Sequence, residues 1–359
     1  MTDFRDEFQK LLESTYIPTV GDRAEAEKKL NNFLNIAFQH IPEKLFRYRS
    51  CDKDGYSLDS FKQGTISLCN ANRFSDKYDS RVYVDKDKVL KDLNDGFKNA
   101  ISDLLKDIRQ KNPMLKAERA TEICYYIEGG LSDQEIIDKI IKEKFSDFIH
   151  EIKTDMKNRE YRFRGSEKTA KIGCFTENVQ SKFMWDHYAG GYTGFALEYN
   201  LKEFVYKHGI YKQQSNPDTF AYVFPVIYTD EMPDVTDDES NAYMREKCLK
   251  EEWMRNWAPL YHSVPLNFLH VYKPYLYKDK AEYAHEREWR MMYYDLENKD
   301  GFSLIPDLNC LKAIYYGPDI SAGNREILHQ IAKDKGIAEY DVNLDPDSRA
   351  YGLKVTKNS

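Results

Sequence analysis

The chain has 359 residues, 41% of them hydrophobic, which is enough for a substantial buried core in one large domain or two. A formal net charge of -7 argues against a generally basic nucleic-acid-binding surface, although it leaves room for a local basic patch such as Arg159 to Arg164. Six scattered cysteines, with no CxxC pair and no Cys/His cluster at zinc spacing, point to reduced thiols, and the acidic start MTDFRDEFQKLLEST lacks a secretory pattern; the expected location is cytoplasmic, with no membrane span.

Residues 1–41 carry helical spacing at Phe8, Leu11 and Leu12 and again at Leu30, Phe33, Leu34 and Ala37, broken near Pro18 and Gly21, which predicts two helices. Leu45 to Arg49 and Thr65 to Cys69 read as strands around a helical Tyr56 to Phe61 segment. From 85 to 159 the texture is that of a helical insertion, with Leu93, Phe97, Ile101, Leu104 and Ile108 on one face and a capping box at Ser132 to Glu135. Further strands are expected at Ile172 to Thr176, Gly194 to Tyr199, Phe220 to Tyr228, Trp289 to Tyr294 and Leu311 to Tyr316, and helices at Asp238 to Trp257 and Gly323 to Lys335, the last stopped by Gly336. The sum is an α+β fold: a mixed or antiparallel central sheet with flanking helices, built from 42–84 and 160–359 and interrupted by the insertion at 85–159.

Two stretches carry chemistry. Cys174 to Asn200 encloses Met184, Trp185, His187, Tyr188 and three glycines between apolar runs, and the aromatic rings suit stacking on a planar ligand, with His187 as a proton donor or polar anchor. Packing is the competing role for His187. Tyr283 to Arg290 places Glu286, Glu288 and Arg290 at alternate positions, so that a strand or a tight strand entry sets paired carboxylates beside a cation. One carboxylate could orient a nucleophile while the other stabilises positive charge at a sugar carbon; an exposed ion-pair ladder is the alternative. Asp76 and Asp79 could hold a divalent cation with Glu198 or Glu288, although Asp-rich turns usually cap backbone amides. Cys174 reads as a buried thiol rather than a nucleophile. The Gly-x-Ser-x-Gly elbow, the phosphate-binding Walker loop and the His-Glu-x-x-His helix are all absent.

An ordered series of segments resembles a bacterial family known as domain of unknown function 2971: Leu45-Phe-Arg-Tyr-Arg49, Arg73-Phe-Ser-Asp-Lys-Tyr-Asp79, Cys174-Phe-Thr176, Met184-Trp-Asp-His-Tyr188, Gly194-Phe-Ala-Leu-Glu198 and Glu286-Arg-Glu-Trp-Arg290. It departs where the family tends to read Phe-Asn-Asp-Pro-Phe-Asp, here Phe74 to Asp79 with Ser, Lys and Tyr, and where Tyr283 replaces an expected Trp. The Glu-x-Glu element also resembles that of arginine-directed ADP-ribosyltransferases. That likeness implies NAD as substrate, Glu288 as the catalytic carboxylate, Glu286 in acceptor choice, and Arg47 or Arg49, flanking Tyr48, as a phosphate contact. The expected function is therefore a nucleotide-binding enzyme acting as an ADP-ribosyltransferase or NAD glycohydrolase, in a defence or toxin role, on a protein or nucleic-acid acceptor. A noncatalytic nucleotide or protein sensor and a metal-dependent nuclease are the alternatives.

Overall fold

The computed structural model describes residues 3–15, 23–51, 55–110, 117–158, 170–208, 221–250, 268–294, 301–307 and 309–358. Its strands are β1 (Leu45–Arg49), β2 (Thr65–Cys69), β3 (Ala170–Thr176), β4 (Phe195–Tyr199), β5 (Ala221–Pro225), β6 (Ile227–Thr229), β7 (Tyr277–Asp279), β8 (Glu288–Tyr294), β9 (Phe302–Pro306), β10 (Leu311–Tyr316), β11 (Ala338–Leu344) and β12 (Leu353–Lys357). Ten of them form one sheet in the order β12-β11-β10-β4-β1-β3-β2-β9, with β8 added to β3 and β5 to β8. The sheet is mostly antiparallel; β10 and β11 run parallel, joined by the helix Ala322–Lys335. This is an α+β fold. β6 and β7 make a separate parallel pair.

The branching at β3 shapes the molecule. β8 occupies one whole edge of β3, from Ala170↔Tyr294 to Thr176↔Glu288. β1 and β2 share the other edge, each through a single register pair, Phe46↔Thr176 and Cys69↔Ile172. Between those two pairs the strands part and the sheet forks. Gly173 lies at the fork, where a Cβ would come 2.5 Å from Leu68 Cδ2, so a larger residue there would displace the Leu68 side chain.

Apolar periodicity explains how the layers assemble. Phe8 and Leu12 of the helix Phe4–Ser14 pack with Phe33 and Leu34 of Arg23–Gln39 and with Phe224 of β5 on one face of the sheet. Leu45, Phe175, Trp289 and Met291 point to the other face, into a core closed by Leu328 and Ala332 of Ala322–Lys335. The long helix Lys86–Arg109 and the helical segments to Asn158 bury their own set, including Leu93, Phe97, Ile101 and Phe145, joined by Val235 just before Thr236–Lys250 and by Tyr243 and Met244 midway along it. The Ser132 to Glu135 capping box forms as the spacing requires.

Some details differ from expectation. Phe220 lies outside the described residues, and the remainder of the run Phe220 to Tyr228 divides at Val226, because β5 joins the main sheet while β6 pairs with β7. The 159–164 patch and the end of the Asp238 to Trp257 helix also fall outside the described residues. Gly190 and Gly191 adopt left-handed backbone in the turn before β4. Gly194 is needed for close approach: a Cβ there would sit 2.2 Å from the Arg49 carbonyl and 2.7 Å from that of Ala189. Gly194→Ala is therefore expected to cost about 3 kcal/mol, as an overpacked backbone contact does, measured by urea denaturation.

Candidate functional site

Pairing decides which side chains share a face. Thr176 and Cys174 stand opposite Glu288 and Arg290, and Phe46 stands opposite Thr176, so these groups and Tyr48 lie on one face of the sheet. Arg47 and Arg49 belong to the opposite face by alternation. Both sets nonetheless line one cavity of about 240 Å³ at the fork, together with Phe74, Asp76, Asp79, Met184, Tyr188, Lys278, Tyr283, Glu286 and Glu288.

The acidic pole of the cavity is a closed network. Arg290 has no exposed surface; its Nε donates to Glu288 Oε1 at 2.9 Å, and its Nη1 donates to Asp79 Oδ1 at 2.9 Å and to the Tyr275 carbonyl at 2.7 Å. Lys278 Nζ bridges the carboxylates, 2.8 Å from Glu286 Oε2 and 3.1 Å from Glu288 Oε2, and lies 4.0 Å from the centre of the Tyr283 ring. The Tyr188 hydroxyl donates to Glu286 Oε1 at 2.8 Å. Glu286 itself sits in a 3₁₀ turn, Ala284–Glu286, and Arg287 follows at φ 46°, so the pair converges through a strained entry into β8 rather than along a straight strand. The arrangement is a buried ion network, not an exposed ladder.

Burial alone would raise the Glu288 pKa, but Arg290 and Lys278 outweigh it and hold the carboxyl at about 2, so it is ionised at neutral pH. Burial would strip the Lys278 charge, and Glu288 and Glu286 reverse that, raising its pKa. The buried Cys174 thiol is pushed up by desolvation and by the Glu288 charge beside it, which keeps it protonated and unreactive.

The cationic pole is different. Arg47 Nη1 is buried and has no hydrogen-bond partner, and no carboxylate among the described residues pairs with Arg47. Its guanidinium lies 5.5 Å from the Phe175 ring centre, and burial lowers its pKa. Neighbouring Arg49 donates to Ser67 Oγ at 3.0 Å. Lys278 and Arg290 are thus answered by Glu286, Glu288 and Asp79, whereas Arg47 is unanswered.

Of the sequence candidates, the fold brings Arg47, Tyr48, Arg49, Tyr188, Glu286, Glu288 and Arg290 to the cavity. It does not bring Trp185 or His187. Trp185 is fully buried, its Nε1 donating to the Val179 carbonyl at 2.7 Å and its ring edge-on to Tyr48, so no ligand can stack on it. His187 is exposed, bonded to the Phe183 carbonyl at 3.1 Å and stacked on the Phe183 ring, one helix face away. The helix Lys182–Tyr188 begins at Ser181, whose Oγ accepts from Met184 N, and this sets Tyr188 over the cavity while Trp185 turns inward. Asp79 is the partner of Arg290, and Asp76 accepts from the Tyr78 amide, so this pair is not presented as a metal clamp. Among the described residues no group of three His, Cys, Asp or Glu side chains could hold a metal ion. Sequence reading missed Lys278, which β7 delivers; nothing in its local sequence distinguishes it from other surface-type lysines.

Residues 184–291 match the model of DUF2971, a family described as a protein of unknown function. The matched span runs from the tyrosine-bearing helix to the middle of β8 and so holds Tyr188, Lys278, Glu286, Glu288 and Arg290; the Arg47 pole and Asp79 come from outside it. The DUF2971 resemblance read from the sequence segments is thus supported over the part of the chain that forms the acidic pole. No curated protein and no solved structure matches the chain.

Two outcomes follow from the network. Removing Asp79 leaves Arg290 buried and partly unpaired, so Asp79→Ala should cost about 3–5 kcal/mol in urea denaturation. Glu288 has a folded pKa below its ordinary 4.5, so the stability it contributes is complete above that value and is lost as pH falls toward about 2. The stability of Glu288→Gln, measured from pH 5 to 2, should accordingly fall less steeply than that of the wild type.

Proposed function

We propose that the cavity recognises an anionic, nucleotide-like ligand, enclosing a phosphate and its sugar and binding without turnover. The carrying observation is Arg47: a buried guanidinium nitrogen without a partner on the cavity wall is a group that an incoming phosphate oxygen would satisfy, and an Arg–phosphate bond is strong in such surroundings. Tyr188, Glu286 and Glu288 at the other pole suit the hydroxyls of a sugar. Drug-sized sites span roughly 300–1,000 Å³, so a 240 Å³ cavity favours one end of a ligand such as NAD over the whole molecule. Both carboxylates are taken up by cations and Cys174 is held protonated, which supports recognition rather than activation of a nucleophile.

A second reading keeps the NAD-dependent ADP-ribosyltransferase or glycohydrolase, cytoplasmic and acting as a defence or toxin effector. It is favoured by one fact: Glu288 is ionised and lines the cavity, where it could stabilise positive charge developing at a ribose carbon. Calorimetry with ADP-ribose, ribose 5-phosphate and NAD tests the site. Arg47→Met should weaken the best of these by about 2 kcal/mol, roughly thirtyfold, and binding by wild type and Arg47→Met at equal strength would refute the phosphate contact. NAD consumption by the wild type that disappears in Glu288→Gln would select the second reading, and intact NAD alongside tight binding the first.

A further inference from the structure

We propose that Arg5 and Glu177 are positioning residues for this cavity, fixing from behind the turn that delivers Glu286 and Glu288. The inference rests on the ligand-binding reading above. Neither side chain lines the cavity, yet both are bonded to the element that does.

The turn needs to be held. Arg287 occupies left-handed backbone at φ 46°, a conformation that is strained for a residue with a Cβ. Glu286 and Glu288 flank this strained residue, so its backbone sets where both carboxylates stand relative to Lys278. The chain at the end of β3 holds it: Thr176 Oγ1 donates to the Glu286 carbonyl at 2.6 Å, and the Glu177 amide donates to the Arg287 carbonyl at 3.4 Å. Glu177 then uses both carboxylate oxygens as a hub. Oε2 accepts from Arg287 Nε at 2.8 Å, while Oε1 accepts from Arg5 Nη1 at 2.8 Å and from Trp289 Nε1 at 2.6 Å. Arg5 completes the brace, its Nη2 donating to the Glu288 carbonyl at 3.1 Å, and Asp3 takes Arg287 Nη1 at 2.9 Å.

These bonds exceed what docking the N-terminal helix requires. Phe8 and Leu12 are fully buried in the core shared with Phe33 and Phe224, and the Tyr277 hydroxyl donates to Glu13 at 2.9 Å near the end of the same helix. Arg5 is also largely buried, at 6% exposure, and its polar bonds run to the turn and to the hub that holds it. The N-terminal helix therefore reaches the turn behind the cavity, through Arg5 and its N-cap Asp3. Arg5→Met keeps the aliphatic stem and removes the bonds.

A double-mutant cycle separates positioning from general support. ADP-ribose affinity and melting temperature are measured for wild type, Arg5→Met, Glu288→Gln and the double variant. If Arg5 acts through Glu288, Arg5→Met lowers affinity about tenfold in the wild type and less than about twofold in the Glu288→Gln background, a coupling of the size contacting residues show. Equal losses in both backgrounds, or a fall in melting temperature with affinity unchanged, overturn the proposal. A readout free of ligand is the titration of the Glu288 carboxyl by ¹³C NMR with labelled glutamate, assigned by its disappearance in Glu288→Gln. In Arg5→Met and in Glu177→Gln this carboxyl should titrate at higher pH, because looser contacts with Arg290 and Lys278 leave burial less opposed; an unmoved titration in both variants overturns the brace. Absence of ADP-ribose binding in the wild type, with the carboxyl still shifting, would reject the ligand reading and leave the brace standing.

Discussion

A guanidinium with no exposed surface is the constraint around which this site is organised. Arg290 enters the interior on β8, and a buried cation is tolerated only when paired and hydrogen-bonded. Its requirements draw in Asp79 from the loop after β2, Glu288 from its own strand and the Tyr275 carbonyl from the segment before β7. Glu288 then needs a second cation, which β7 supplies as Lys278, and Lys278 in turn holds Glu286. Segments far apart in the chain are therefore fixed by one sequence of electrostatic debts. The same closure gives each carboxylate a cation at hydrogen-bond distance.

Against this balanced pole, Arg47 stands out by its lack of an answer. The contrast comes from the fork in the sheet rather than from composition, since the cavity-lining cations Arg47, Arg49, Lys278 and Arg290 and the carboxylates Asp76, Asp79, Glu286 and Glu288 are equal in number. Alternation along β1 sends Tyr48 to the acidic face and Arg47 to the other, and only where β1 and β2 part do the two faces meet in one space. A continuous sheet would have kept them apart.

Much of the fold was legible because period-two and period-3.6 patterns mark buried faces: β1 to β4, β8, β10 and the N-terminal helices follow them closely. The strands that escaped lack the buried apolar alternation. β11 reads Ala338-Glu-Tyr-Asp-Val-Asn-Leu344 with only Val342 buried, and it is a strand because the helix before it lays it parallel to β10; β9 exposes Phe302 and Leu304, buries Ser303 and ends in Pro306. In the site, alternate spacing found Glu286, Glu288 and Arg290, since charge at that spacing is a local signal. Lys278 carried none, as its role exists only through pairing of β7 with β6. Trp185 and His187 misled because aromatic density marks packing as readily as binding. The rotation of one short helix decided that Met184 and Tyr188, and not Trp185 or His187, line the cavity.

The fork has one more consequence. Where β1 and β2 separate, β3 loses neighbours along part of its edge, and the pair β2–β9 is attached to the rest of the sheet through a narrow join at Cys69 and Ile172. A molecule seated there would act as a substitute rung, stitching the outlying pair to the main body. Occupancy and cohesion of the sheet would then be two sides of one equilibrium.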